Sequence, residues 1–504
     1  MQVLKKYVFL FAAFILAGCS SSTRTAPAIT GYDTAVMYEN LNSYDSINLI
    51  NRDVINDGNF RVGMLLPLSG EASKYGLGLK NAALMALDDV QNDNLILQFY
   101  DTQSTASGAR VAVENAIAQN ASLIIGPLMS SSVNAIKDET TYKDIPVIAF
   151  STNESVLEPQ VYTLGLLVDE QVNRIISYAA SQKRSRFALL LPDNQTGIAI
   201  ARAAVNAAQQ NGASISKISF YPANTTNFAD PVKNLTDYDI RSNRLKRIRS
   251  SLTAQANKGN MNAKRALKRL ERIQALGDVD FDAVIIPESG SRLKSAFSMF
   301  GYYDVYAPKV KFLGTAIWEN TDLSKETMAA GAWYPALSRS HSAYFANKYS
   351  EMFGEKPHSL YSLAYDAVAL AASLSKKGNE NLNGAITAPE GYIGINGVFR
   401  LFANGTNEHS LDIVEITENG DKVVSPAPRK FNTAPEYGFS GNSVYVTPDY
   451  KAPQIFGKNT EAAQIAIYGR VLEAENQPVY EIPQDSEMEI IRKALKELNV
   501  VIPQ

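Results

Sequence analysis

Three consecutive serines are the side chains of this sequence best placed to hold a ligand. Ser130, Ser131 and Ser132 follow the apolar run LIIGP and open a segment with helical periodicity. Hydroxyl groups and unbonded backbone N–H groups at the start of a helix attract negative charge. The pattern predicts either a seat for a carboxylate or an ordinary helix cap, and both stay open at this point.

Catalytic and metal-binding side chains are scarce. The chain of 504 residues holds three histidines and one cysteine, and its formal net charge is −3. It lacks the G-x-S-x-G, P-loop and H-E-x-x-H motifs. Gly76, Gly78 and Asp101 superficially resemble a dinucleotide-binding fingerprint, but Asn81 occupies the third glycine position and the loop before Gly76 is too long. We predict a protein that is not an enzyme, with no cofactor, no metal site and no nucleic-acid partner.

The N-terminal segment predicts export and a lipid anchor. Two lysines precede an apolar run that is too short to span a bilayer and that ends in Leu-Ala-Gly-Cys19. This ending resembles the bacterial lipobox, which implies a signal peptide over 1–19, a lipid on Cys19 and a polar tether over 20–59. Ser20 is similar to the residue found in outer-membrane lipoproteins, which implies an outer-membrane rather than an inner-membrane anchor facing the periplasm. The alternative is an ordinary signal peptide with a chance cysteine.

The elements that must position the serines follow from residue 60 onwards. Short apolar runs alternate with helical segments up to about residue 420, which is typical of parallel, doubly wound α/β sheets. Near the end of this region, an Asn-Gly pair at Asn404–Gly405 predicts a hairpin turn.

Two further segments depart from the alternation. The insertion at 236–277 is rich in lysine and arginine and predicts a basic helical hairpin. The lysines and arginines of this insertion form either a solvated face or a docking surface for an acidic partner or anionic polymer. They include Arg265, Lys268 and Arg269. The segment 425–504 predicts a linker and a tail with one amphipathic helix, which docks on the body of the protein or on a partner.

Five stretches of the chain resemble the type I periplasmic binding proteins, in particular the branched-chain amino-acid receptors. They are VGMLLPLSGEASKYGLGLKNAALMAL, DTQSTASGARVAVENAI, IIGPLMSSSV, IPVIAFSTNE and YSLAYDAVALAA. The resemblance implies two doubly wound parallel-sheet lobes joined by a three-segment hinge, with ligand at the carboxyl ends of the strands. It assigns 60–165 with about 316–390 to the N-lobe, and 166–315 with about 391–420 to the C-lobe.

The same resemblance implies that the N-lobe carries one wall of a ligand site. Ser130, with Ser131 beside it, falls where the receptors hold the α-carboxylate of their ligand. Ser151 and Thr152 fall on the neighbouring loop that supplies further donors, and Tyr75 falls on the aromatic residue that covers the mouth of the pocket. The alternative role for these residues is capping and loop packing.

The C-lobe wall matches less well. Thr196 stands where the receptors have a tyrosine, and Ala316 stands where they have the glutamate that neutralises the ligand's ammonium group. Glu288 and Glu319 are the candidate substitutes. A buried ammonium group without a carboxylate would be an unpaired charge, which is strongly unfavourable. An amino acid therefore fits only if one of these two glutamates reaches the ligand.

A second family shares the fold, namely outer-membrane lipoproteins that activate penicillin-binding proteins. The chain is similar to them in its lipobox, tether, insertion and imperfect amino-acid site, although it lacks their large N-terminal helical repeats. Two functions follow as hypotheses. The first is a non-catalytic lipoprotein that regulates peptidoglycan synthesis through a cell-wall synthase and binds a small carboxylate. The second is the binding component of an ABC transporter, with a permease partner and branched-chain amino acids or small amides as ligands.

Overall fold

The computed structural model describes residues 58–339, 342–376, 381–431, 444, 446–447, 449–472 and 484–498. Cys19, the predicted signal peptide and the tether up to residue 57 lie outside these residues. Within them, no helix combines the length and the apolar character that crossing a bilayer requires.

Residues 60–163 build a five-stranded parallel sheet. In chain order, the elements are β1 (Phe60–Leu66), α1 (Ser73–Val90), β2 (Leu95–Asp101), α2 (Ala106–Ala118), β3 (Leu123–Ile125), α3 (Ser130–Tyr142), β4 (Val147–Ala149) and β5 (Val161–Thr163). The strands lie in the order β2-β1-β3-β4-β5. Their runs are strongly apolar because α1 covers one face of the sheet while α2 and α3 cover the other.

Residues 168–337 build most of a second sheet. The elements are α4 (Val168–Ser181), β6 (Arg186–Pro192), α5 (Gln195–Gln210), β7 (Ser214–Tyr221), α6 (Ala229–Leu235), α7 (Tyr238–Asn257), α8 (Met261–Leu270), β8 (Ala283–Ile285), α9 (Gly290–Tyr302), β9 (Lys311–Leu313) and β10 (Trp333–Leu337). At the position of the basic insertion, α7 and α8 form a helical hairpin with its own apolar core, which includes Leu245, Leu252 and Leu270.

The next part of the chain contributes to both lobes. Its elements are α10 (Ser342–Phe353), α11 (Tyr361–Ser375), α12 (Leu382–Ile386), β11 (Tyr392–Gly394), β12 (Gly397–Leu401), β13 (Asn407–His409), β14 (Leu411–Thr417) and β15 (Gly420–Ser425). The helices α10 and α11 share the core of α1. The strands β11, β12 and β13 form a small antiparallel sheet, in which the predicted turn at Asn404–Gly405 joins the last two.

The end of the chain returns to the second lobe. Its elements are β16 (Gln454–Phe456), α13 (Thr460–Tyr468) and α14 (Gln484–Glu497). Because β16 pairs in parallel with β7, the second sheet has the order β15-β14-β10-β9-β8-β6-β7-β16. The sequence pattern predicts only a linker and one helix here, since a run of three residues with two apolar side chains is too short to be recognised as a strand.

Three chain segments connect the two lobes, in agreement with the predicted two-lobe fold and its hinge. They lie between β5 and α4, between β10 and α10, and between β13 and β14. Two exchange points differ from the prediction. The segment from 316 to 337 stays with the second sheet, because β10 pairs with β9 and β14. The strands at 392–409 pack into the first lobe instead of the second, where Phe399 and Leu401 join the core.

The first of these differences has a local cause. Pro335 lies in the middle of β10, and proline is depleted in strands because it lacks a backbone N–H group. The proline therefore masks the strand in the sequence pattern. The second difference has no such local signal, since the apolar alternation of a hairpin does not indicate which of two lobes it covers.

Candidate ligand-binding cleft

The three serines lie at a helix start that no side chain caps. The helix α3 begins at Ser130, and Met129 before it makes no side-chain cap. Ser132 is buried, and its hydroxyl donates to the carbonyl oxygen of Thr105 at 3.3 Å. Ser130 is half-buried and Ser131 is exposed, and neither hydroxyl has a hydrogen-bond partner among the described residues. The capping alternative is therefore wrong, and two hydroxyls remain beside N–H groups that attract an anion.

The loop after β4 adds a second donor to this wall. Ser151 is buried, and its hydroxyl oxygen accepts a hydrogen bond from the backbone N–H of Asn153 at 3.1 Å. This bond uses the oxygen but leaves the hydroxyl proton available to donate. Thr163 fixes the loop, since its hydroxyl donates to the carbonyl oxygen of Ser151. Thr152 is exposed.

An aromatic pair stands at the start of α1 and before α11. Tyr75 is 40% exposed and meets the ring of His358 edge-on at a centroid distance of 5.5 Å. Burial, together with the positive charge of Lys74, lowers the pKa of His358. The contact of His358 with the candidate residue Tyr75 could not be predicted from the sequence, because no motif surrounds His358.

On the second lobe, an arginine neutralises the first candidate glutamate. Glu288 follows β8 and accepts hydrogen bonds from the Arg292 guanidinium and the Tyr221 hydroxyl, both at 2.7 Å. Burial and the bond to Glu288 raise the pKa of Tyr221. Arg292 lies four residues after Glu288 at the start of α9, and this spacing is the signal that could have identified the pair.

An arginine also engages the second candidate glutamate. Glu319 lies in a short 3-10 helix after β9, and its carboxylate is 3.2 Å from the guanidinium of Arg339. Arg339 also contacts Asp421 at 3.2 Å and donates to the Tyr334 hydroxyl at 2.7 Å. Burial raises the pKa of Glu319, and the charge of Arg339 opposes that effect. Sequence reasoning missed Arg339 because its partners come from distant parts of the chain.

The remaining candidate on the second lobe, Thr196, makes no side-chain hydrogen bond with any residue that the structure describes. Thr196 is exposed in the first turn of α5. Asn194 caps this helix, and its side-chain oxygen accepts from the backbone N–H of Gly197 at 3.0 Å.

The two walls of the cleft differ in the polar groups that they offer to a ligand. Ser130 and Ser151 present hydroxyl groups, whereas Glu288 and Glu319 are both paired with arginines. Each set lies at the carboxyl ends of its own parallel strands, where open α/β sheets bind ligands. The first wall therefore carries hydroxyl groups beside a helix start, whereas both predicted glutamates of the second wall are engaged by arginines.

Packing and turn geometry account for the residues that resembled a dinucleotide fingerprint. A Cβ atom on Gly76 would lie 2.1 Å from the carbonyl oxygen of Pro67, and one on Gly78 would lie 2.1 Å from the ring of Tyr361. Asp101 accepts hydrogen bonds from the backbone N–H groups of Leu68, Ser69 and Gln103. The two glycines allow close approach of the helix, and Asp101 ties the ends of β1 and β2 together.

Two acidic side chains are buried, one at the hinge and one in α11. Glu170 in the first turn of α4 lies 3.4 Å from the Nδ1 atom of His409 at the end of β13. Burial raises the pKa of Glu170 to about 7, and His409 opposes that effect. Asp366 accepts from the backbone N–H groups of Ile395 and Asn396, and burial raises its pKa to about 6. These residues were not singled out in the sequence.

The basic face of the helical hairpin belongs to a different part of the second lobe. Lys264, Arg265, Lys268 and Arg269 are exposed on α8, and Arg272 is exposed just after its end. No ion pair involves any of the five within the part of the chain that the structure describes. The opposite side of α8 is buried in the hairpin core.

The chain matches one protein family over part of its length and resembles two curated proteins over shorter stretches. Residues 59–241 match the family described as "Periplasmic binding protein". The chain is 26% identical over 176 residues to the uncharacterized protein RP748 of Rickettsia prowazekii, covering 35% of this chain and 47% of that protein. It is 35% identical over 100 residues to the penicillin-binding protein activator LpoA of Haemophilus ducreyi, covering 19% of this chain and 15% of that protein. The matches thus span less than half the length of either relative.

Solved structures share the fold over a larger part of the chain. One is a branched-chain amino acid ABC transporter periplasmic ligand-binding protein from Burkholderia xenovorans LB400, with a TM-score of 0.54 and 13% identity. The match covers 73% of this chain and 95% of that one. At this level of identity the likeness concerns the fold alone.

Proposed function

This chain has the type I periplasmic binding protein fold, a fold of binding proteins, and from that premise we propose that it is a non-catalytic penicillin-binding protein activator. In this role it would regulate peptidoglycan synthesis from the periplasmic side of the outer membrane. The observation that carries the proposal is the pairing of Glu288 with Arg292 and of Glu319 with Arg339, which leaves neither glutamate free for a ligand's ammonium group. The likeness to the activator of Haemophilus ducreyi over 100 residues supports it.

The partner in this proposal is a cell-wall synthase of the penicillin-binding protein class. Its docking surface is the exposed side of α8 with Arg265, Lys268 and Arg269. Protein association is steered and made selective by complementary charge, so an acidic patch on the synthase is the expected counterpart. Cys19 would hold the protein at the membrane through its lipid, and its replacement in Cys19→Ala should move the protein to the soluble fraction in cell fractionation.

The test measures association of the full-length protein with purified penicillin-binding proteins and the rate of peptidoglycan cross-linking. The triple variant Arg265→Glu/Lys268→Glu/Arg269→Glu should weaken association at least tenfold and remove the stimulation. A matched control reverses three exposed lysines on other surfaces, Lys143→Glu/Lys325→Glu/Lys356→Glu, and should behave as wild type. Absence of association, or equal effects of the two triple variants, would contradict the docking surface.

A second candidate function is the binding component of an ABC transporter for branched-chain amino acids or small amides, with a permease as partner. The hydroxyls of Ser130 and Ser131 favour it, because they have no hydrogen-bond partner among the described residues and could donate to a ligand's carboxylate. Under this function, leucine-like ligands should raise the thermal unfolding temperature by several degrees. Ser130→Ala should then weaken binding by about 1–3 kcal/mol through loss of a hydrogen bond to a charged group. Under the activator function, Ser130→Ala leaves synthase association unchanged.

A further inference from the structure

The C-terminal helix α14 lies on the helical hairpin through a narrow apolar stripe. Ile491 and Leu495 are buried against the hairpin residues Leu245 and Leu270 and the adjacent Leu276. The neighbouring side chains at 492, 493, 496 and 497 are exposed. The apolar contact of α14 with the body is therefore confined to one side of the helix.

Acidic groups of α14 meet basic groups of the body at both ends of this stripe. Glu487 pairs with Arg247, and its carboxylate lies 3.5 Å from the buried guanidinium of Arg244. Near the other end, Glu497 pairs with Lys309. With α14 in place Arg244 is 3% exposed, so the surface beneath α14 requires a carboxylate at this point.

The fit between α14 and the body is incomplete. A cavity of about 690 Å³ lies beside the helix, lined by Lys493, Ala494 and Leu498 on one side. Phe281 and Val305 are among the apolar residues that line it from the body. A helix with larger side chains at these positions would fill the space that α14 leaves.

We propose that this surface, formed by α7, α8 and the loop at 273–279, is a helix-binding site that α14 occupies in the resting protein. The occupant it accepts in exchange is an amphipathic helix of a partner protein, with glutamate, isoleucine and leucine at the spacing of Glu487, Ile491 and Leu495. A fourteen-residue helix is only marginally stable without a surface, so α14 is held by these contacts and can be displaced by a better match. The site is independent of ligand binding in the cleft and of the basic side of α8.

The test uses a fluorescently labelled peptide with the sequence of residues 484–498. The full-length variant Ile491→Ser/Leu495→Ser, whose own α14 no longer docks, should bind the peptide at least tenfold more tightly than wild type does. The matched variant Arg492→Ser/Lys496→Ser changes two exposed residues of the same helix and should bind as weakly as wild type. A peptide carrying Glu487→Lys should lose at least tenfold in affinity for the first variant, because Arg244 then meets a positive charge.

Hydrogen exchange of the unmodified protein provides a measurement that does not depend on a variant folding. Amides of residues 487–497 should exchange much faster than those of α7, because α14 opens locally while the hairpin stays closed. Equal protection of the two helices, or no peptide binding by the first variant, would overturn the proposal. If the wild-type protein forms dimers and the variant Ile491→Ser/Leu495→Ser does not, the occupant is the α14 of a second copy. That outcome would overturn the assignment to a partner protein.

Discussion

Glu288 and Arg292 decide what the second wall of the cleft can bind. The Glu288 carboxylate has a side-chain exposure of 12%, and Arg292, four residues later, pairs with it at 2.7 Å. The Tyr221 hydroxyl adds a neutral donor. While Arg292 holds this geometry, Glu288 contributes no net negative charge to a ligand. The functional conclusion therefore rests on a contact between two side chains of the same loop and helix.

A double-mutant cycle should measure this contact. Arg292→Leu leaves Glu288 with the neutral Tyr221 hydroxyl but without the opposite charge, and should destabilise the protein by about 2–3 kcal/mol because the pair is partly buried. In the presence of Glu288→Gln the same change should cost less, by a coupling energy of about 1–2 kcal/mol. The measurement is thermal and urea unfolding of the four proteins. Additive effects would show that the two groups do not interact appreciably.

The positions of Ser130 and Ser151 could be predicted from the sequence, because each follows a strand and strand ends meet at one edge of a parallel sheet. That they bind a ligand stays a prediction. The pairing of Glu319 with Arg339 could not be predicted, because the residues lie on different elements and Arg339 also joins Tyr334 and Asp421. Ion pairs across elements depend on three-dimensional packing, which periodicity does not encode.

At the scale of elements, both lobes use glycine to bring a helix start against a strand end. A Cβ atom on Gly76 would lie 2.1 Å from the carbonyl oxygen of Pro67, and one on Gly197 would lie 2.0 Å from that of Pro192. Each glycine lies in the first turns of the helix after the leading strand of its sheet. The apolar periods predicted these helices, but not the reason for the glycines, which is the close approach of backbone atoms.

Gly76→Ala should therefore destabilise the first lobe. The added methyl group would meet backbone, which cannot move aside as a flexible side chain does, so we expect a loss of about 2–3 kcal/mol. In thermal unfolding this appears as a midpoint lowered by several degrees. Gly301→Ala in α9 is the control, since its Cβ atom would lie 3.4 Å from the Met328 sulfur, an ordinary contact. The control should leave the midpoint unchanged or raise it slightly, and a similar loss in both variants would contradict the close-approach argument.

At the scale of the whole molecule, the three connecting segments meet around buried polar groups. Asn407 donates to the carbonyl oxygens of Thr163 and Gly165, which links the third segment to the first. Arg339 donates its backbone N–H to Asp412, which links the second segment to β14. The sequence predicted three segments from the resemblance, yet not these bonds, because polar residues in connecting loops show no periodicity.

Two buried acidic groups, Glu170 at the hinge and Asp366 in α11, should make the stability of the protein depend on pH. Burial raises the pKa of Glu170 to about 7 and that of Asp366 to about 6, above their ordinary values of 4.5 and 3.8. The folded state therefore binds these protons more tightly than the unfolded state does. Their contribution to stability is fully present below about pH 4 and is lost as the pH rises through 6 and 7. Glu170 faces His409 and the more distant Glu408, whose charges act on it in opposite directions.

Glu170→Gln should flatten this dependence, because glutamine cannot lose a proton. Between pH 5 and pH 8 the wild-type protein should lose stability that the variant keeps, with a difference of roughly 2 kcal/mol. Urea unfolding at four pH values across this range measures it. Glu114→Gln, which alters an exposed residue of α2, should retain the wild-type slope. A variant at position 170 with an unchanged slope would mean that Glu170 ionises as freely in the folded hinge as in the unfolded chain, so the three segments would not enclose it as tightly as their geometry indicates.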